Sequence, residues 1–199
     1  MLTGNWVQES HVSLEHRMSM RGLNRRFLDL AGKGVFASGL DAQVAPLSSS
    51  QRAAAADCPY ALFDLRFQDE AHWRGRLQTA QPLRIADAPG ADEETVDFVR
   101  LALFYTWHLA SSGGLAAHLL LGMHADTADA FRRVSVDALP GLAATEAPNL
   151  APRWSRRHAY WSALINAAAR PDPAALRRVQ LSGLQLAAAV QLPSEPREV

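Results

Sequence analysis

The stretch that decides the fold is Asp92 to Met123, DEETVDFVRLALFYTWHLASSGGLAAHLLLGM. Asp92, Glu93 and Glu94 place negative charge where a helix macrodipole favours it, at the start of an apolar run. Val96, Phe98, Val99, Leu101 to Tyr105, Trp107 and Leu109 then make a helix that is apolar nearly all round. Such a helix is buried on several sides, by its own domain or by a second subunit. Ser111-Ser112-Gly113-Gly114 interrupts the pattern, Leu115 to Leu121 resumes it, and Gly122 is a C-terminal breaker.

Downstream of this stretch, Asp126 or Thr127 opens a helix through Ala128, Phe131 and Val134, and Ser135 with Asp137 and Leu139 opens another. Pro148 and Pro152 break the chain. Trp154, Tyr160, Trp161, Leu164 and Ile165 define the next helix, which also carries Arg156 and Arg157. Asp172 is an N-cap candidate with Pro173 in the first turn of a last helix bearing Leu176, Val179, Leu184 and Leu186.

Upstream the signals are weaker. A helix is expected from about His11 to Leu30, ended by Gly32, Gly34 and Gly39, and Ala45 to Gln51 reads as a loop or linker. Asp57-Cys58-Pro59 reads as the start of a helix through the most aromatic part of the chain, Tyr60 to Trp73. The alternation of Ala61 to Phe67 also fits a short strand, and helix is preferred. Pro82, Pro89 and Gly90 mark a boundary near residue 90. The expected fold is mainly α, with a partly helical N-terminal extension (1–90), a helical domain (91–192) and a flexible tail (193–199).

Composition sets broad limits. With 199 residues, 48% of them hydrophobic and 20% charged, the chain can bury a core. It carries neither an apolar run that spans a bilayer nor a secretory signal, so a cytoplasmic protein with no membrane partner is expected. Cys58 is the single cysteine, which excludes an internal disulfide and reads as a buried apolar residue. The net charge is zero, yet between Ala130 and Val190 eight arginines face Asp137, Glu146 and Asp172 alone, a local surplus of five positive charges.

No catalytic motif emerges, and the chain is expected not to be an enzyme. His108, His118 and His124 lack the i, i+4 spacing that sets two imidazoles on one helix face, so no metal and no cofactor are expected. Ser111 to Gly114 lacks both the nucleophile elbow and the phosphate-loop lysine. Asp64, Asp69 and Glu70, near Arg66 and Arg74, read as a solvated face. Two basic segments remain. Arg153, Arg156 and Arg157 interleave with Trp154, Tyr160 and Trp161, and Arg177-Arg178 open the last helix, where arginines reach phosphates well.

From Asp92 to Ala189 the sequence resembles the FlhD family, the helical subunit of a flagellar master regulator. The resemblance rests on Leu109, on Leu115-Ala116-Ala117-His118-Leu119-Leu120-Leu121-Gly122-Met123, and on Asp126, Ala128, Phe131, Val134, Ser135, Leu139 and Leu142-Ala143. Leu176-Arg177-Arg178-Val179-Gln180 resembles the family's last helix. The resemblance implies an all-α fold and a homodimer through the first long helices, placing Val96, Val99, Leu103, Phe104 and Trp107 at the interface. It also implies transcription regulation with an FlhC-like partner, which holds the zinc site and much of the DNA contact. The family's polar pair in the last helix falls at Gln180-Leu181. The nucleic-acid face expected here is Arg153, Arg156, Arg157, Arg177, Arg178 and Gln180. The alternative is a structural or adaptor protein of a secretion or motility apparatus that buries the Tyr60 to Trp73 aromatics against a partner. A small-ligand enzyme using His108 or His118 is the third reading.

Overall fold

The computed structural model describes residues 14–36, 38–80, 92–112 and 114–189. It is mainly α: ten helices and one two-stranded sheet are found among the described residues. Helix α1 (Leu14–Gly32) buries Met20, Leu23, Phe27, Leu28 and Leu30 on one face and ends before Gly34, which has a positive φ of 84°. Short helices α2 (Gly39–Val44) and α3 (Ser49–Ala55) follow.

The linker expected at Ala45 to Gln51 is therefore corrected, because Ser48 opens α3. Its hydroxyl accepts from the Gln51 backbone N–H at 3.3 Å, and the Gln51 side chain accepts from Ser48 N–H at 2.8 Å. This reciprocal capping box satisfies two otherwise orphaned donors.

The helix expected from Asp57 is also corrected. The segment from Cys58 to Leu62 is irregular and leads into strand β1 (Phe63–Asp64). Asn24, fully buried on α1, supplies the reason. Its amide donates to the carbonyls of Ala56, Cys58 and Tyr60 at 3.3, 3.4 and 2.9 Å, and its carbonyl accepts from Leu62 N–H at 2.8 Å. A helix would compete for these groups; the asparagine satisfies them in an extended path instead.

Strand β1 pairs antiparallel with β2 (Ala151–Pro152), Phe63 opposite Pro152 and Asp64 opposite Ala151. Helix α4 (Glu70–Gln78) starts on Asp69, whose side chain accepts from His72 N–H. Helices α5 (Glu93–Ser112) and α6 (Gly114–Leu121) follow. Gly122, with a φ of 71°, turns the chain into α7 (Ala125–Arg133), and a 3-10 turn leads to α8 (Leu139–Glu146). The last pair is α9 (His158–Ala169) and α10 (Pro173–Ala189). Asp172 caps α10 as expected, accepting from the backbone N–H groups of Ala174 and Ala175.

Helix α5 is the hub, packing on α1, α6, α7 and α8, while α9 packs on α2, α3 and α10. Residues on both sides of position 90 share one hydrophobic core, from Met20 through Trp73 to Ala168. Tyr60, Phe63, Phe67 and Trp73 are fully buried in it. That removes the premise of the adaptor reading, since these aromatics already face their own chain. No helix among the described residues is long and apolar enough to cross a membrane.

Candidate anion-binding face

The segment that precedes α9 separates Arg153 from Arg156 and Arg157, which follow it within four positions in the sequence. Trp154 takes a left-handed conformation, φ 54°, in a turn closed by a 2.7 Å bond from Arg157 N–H to the Trp154 carbonyl. Trp154 thus lies outside the helix expected to contain it. Its ring sits 5.5 Å from Tyr60 and 5.2 Å from Tyr160.

Arg153 points inward. It is 6% exposed, and its Nη1 donates to the carbonyls of Leu120 at 3.1 Å and Ala61 at 3.5 Å, with the guanidinium 4.7 Å from the Trp154 ring centroid. Burial lowers its pKa to about 10, against the opposing field of Asp64, whose own carboxyl is raised by burial. Placing Arg153 on a nucleic-acid face is therefore corrected: it is an internal strut. Tyr160 and Trp161 are buried as well, so the cation and aromatic residues of this segment interleave inside the protein.

Gln180 is also committed internally. Its side chain donates to the Ala54 carbonyl, and its own carbonyl accepts from the Tyr60 hydroxyl at 2.9 Å. That hydroxyl lies 2.9 Å from the Tyr160 hydroxyl, and burial raises the pKa of both phenols. The neighbouring Cys58 thiol is pushed up to about 12, again chiefly by burial.

Arg156, Arg157, Arg177 and Arg178 are exposed. They are joined by Arg170 at the end of α9, which lines an open groove with Asn166, Arg178 and Ser182. Arg170 belongs to the basic surplus visible in the sequence, but only the α9–α10 pairing brings it beside Arg178. Gly183 abuts Tyr60 and Tyr160, which sets the two helices antiparallel with Arg156 and Arg157 toward one end and Arg170, Arg177 and Arg178 toward the other. From the helical rise, the two groups stand roughly 15 Å apart along the hairpin.

Electrostatic pairing is absent from this face among the described residues. Elsewhere most arginines meet carboxylates, including Arg52 with Asp29 at 2.9 Å, Arg76 with buried Glu146 at 2.8 Å, Arg100 with Asp97 at 3.0 Å, Arg132 with Asp129 at 3.2 Å, and Arg74 with Glu70, whereas exposed Arg17, Arg26 and Arg133 make no such pair among the described residues. Among the described residues, the ion pairs include none of the five arginines of the α9–α10 face. Five exposed guanidinium groups lacking carboxylate partners keep their donors available to an external anion.

The long-helix residues fall on different sides. Val99 and Leu103 are fully buried in the chain's own core, Val96 and Trp107 are partly buried, and Phe104 is exposed at 36%. Val99 and Leu103 are thus unavailable to a second subunit, a correction to the expected interface. The outward positions instead include Leu101 and Phe104 on α5 and Leu115 and Leu119 on α6.

Of the histidines, His118 contacts the Met123 carbonyl at 2.8 Å across the Gly122 turn, and His108 packs edge-on to His16. Glu70, His124 and Asp126 bring possible ligand atoms within 4.8 Å of one another at the starts of α4 and α7. Arg74 already engages Glu70, and both helix N-termini direct positive dipoles toward the group, which disfavours a cation there. Comparison with protein-family models, curated proteins and solved structures returned no match.

Proposed function

We propose that this chain is a non-enzymatic, FlhD-like transcription-regulatory subunit that acts as a dimer with an FlhC-like protein partner and meets DNA phosphates through the α9–α10 face. The observation carrying this reading is the set of five exposed arginines without carboxylate partners in a chain whose other arginines are largely paired. Phosphate contact of this kind positions a protein on nucleic acid without reading sequence. Base reading is assigned to the partner in this proposal, since α8, the second helix after the Gly122 turn, turns Leu139, Leu142, Ala143 and Glu146 inward and packs on α5.

The test is a DNA-binding titration of the partner complex over a salt series. Each phosphate neutralised contributes roughly 0.9 to the log–log salt slope, so replacing Arg170, Arg177 and Arg178 with alanine lowers the slope by about 2 to 3. An unchanged slope rejects the face.

A second reading, an adaptor of a secretion or motility apparatus, draws on Leu181 and Leu184, exposed at 59% and 40% on the same helix as the arginines. Under that reading, Leu181→Ser abolishes partner capture while the arginine variants leave it intact.

A further inference from the structure

Asp64 and Arg153 line a small cavity of about 120 Å³ together with Gln68, Leu121, Gly122 and Trp154. That is the room of roughly four waters at about 30 Å³ each, so a guest of a few heavy atoms fills it and a large side chain overfills it. Strand β1 supplies Asp64, the end of α6 supplies Leu121, and the chain leaving β2 supplies Arg153 and Trp154.

The fold fixes both charges of the lining. Arg153 is 6% exposed, and its Nη1 is spent on the carbonyls of Leu120, near the C-terminal end of α6, and of Ala61. The N–H groups on its Nε and Nη2 meet no protein acceptor among the described residues, and the Trp154 ring lies 4.7 Å from the guanidinium. Asp64 is partly buried, and its carboxylate is steadied by backbone N–H groups of the following turn, with Phe67 donating to Oδ1 at 3.2 Å and Leu65 and Arg66 beside it. Gln68 donates to the Gly122 carbonyl at 2.6 Å, which occupies that carbonyl and leaves the Gln68 side-chain oxygen as an acceptor.

Opposite charges this close in a poorly hydrated pocket attract strongly and ordinarily close into contact. Asp64 and Arg153 feel one another's field, yet among the described residues they make no ion pair. Each is tethered by its own backbone bonds, and the lining holds no third charged side chain to cancel either. The α6 carbonyl engages one guanidinium nitrogen and leaves the other two. A lone anion in this cavity faces Asp64 and a lone cation faces Arg153, whereas a small zwitterion answers both. We propose that the cavity binds an α-amino acid of the size of glycine or alanine, its carboxylate on the free N–H groups of Arg153 and its ammonium on Asp64 and the Gln68 oxygen. Binding here is independent of any contact at the arginine face and of the regulatory reading.

The test titrates the full chain with glycine and L-alanine, and with acetate and methylammonium as carriers of one charge each, followed by calorimetry and backbone amide shifts. At least one of the two amino acids saturates a single site with a Kd below about 1 mM, and both single-charge probes bind at least about tenfold more weakly. The amide shifts centre on Leu121, Gly122 and Trp154. Asp64→Asn keeps an oxygen for the Phe67 N–H and removes the charge, so it weakens the amino acid about tenfold and leaves acetate bound at least as tightly as before. The proposal is overturned if neither amino acid saturates, if acetate or methylammonium binds within tenfold of the amino acid, if the shifts centre elsewhere, or if Asp64→Asn leaves amino-acid binding unchanged. Where Asp64→Asn folds poorly, the comparison of probes on the unaltered chain still decides.

Discussion

Gly122 and Arg153 show how closely single residues are matched in this molecule. Gly122 holds a φ of 71°, and a Cβ there would stand 2.2 Å from an Arg153 guanidinium nitrogen. That guanidinium is held by the carbonyls of Ala61 and Leu120 and lies against the Trp154 ring, so moving it aside costs buried hydrogen bonds. Gly122→Ala combines backbone strain with overpacking and destabilises the chain by about 2 to 4 kcal/mol. Urea denaturation checks this: the midpoint falls while the m-value holds. The sequence marks Gly122 as a helix breaker, which is half of its role. The other half, room for a buried cation 31 positions downstream, depends on a contact that no local pattern encodes. The same holds for Asn24, an ordinary mid-helix asparagine until the segment from Ala56 to Leu62 lies against it.

Among the elements, α10 has the most delicate seat. It crosses α9 at Gly183, where a Cβ would meet the Tyr60 hydroxyl at 1.9 Å and the Tyr160 hydroxyl at 3.0 Å. The two phenols and the Gln180 carbonyl form the polar contact that fixes its register. Alanine is the better helix former, so helix propensity alone predicts that Gly183→Ala stabilises α10. The packing reverses the sign: the expected result is a loss of about 1 to 3 kcal/mol. Hydrogen exchange locates it, with protection lost in α10 and retained in α5. The starts of α5 and α10 were legible because a capping aspartate and apolar periodicity agree there, whereas α7 starts after His124, which makes no side-chain cap, one or two residues before the expected Asp126 or Thr127. The capping box at Ser48 and Gln51 was equally present in the sequence and was masked by a serine run that resembles a linker.

Among the described residues, those before position 81 and those after position 91 fold around one core, and this decides which apolar surface is left for assembly. Leu101, Phe104, Leu115 and Leu119 stay exposed, whereas Val99 and Leu103 face inward. If the proposed dimer uses α5 and α6, Leu101→Asp with Phe104→Asp yields a folded monomer, read by light scattering with far-UV circular dichroism retained. Val99→Asp instead unfolds the chain, since it puts a charge into a sealed core, where removing it from water costs several kcal/mol. A double Leu101 and Phe104 variant that remains dimeric removes this surface from the assembly.

By itself the sequence determined a mainly helical protein, because capping residues act over three or four positions and apolar spacing sorts each helix into an inner and an outer side. It determined equally that a surplus of positive charge lies between Ala130 and Val190. Only the tertiary structure decided which arginines remain outside. Arg153, Arg156 and Arg157 are chemically alike and almost adjacent, yet one turn with Trp154 in a left-handed conformation sends the first into the core and leaves the other two in water. Burial is a property of what packs from a distance, here Ala61 and Leu120, and no short window of sequence contains both the side chain and its destination.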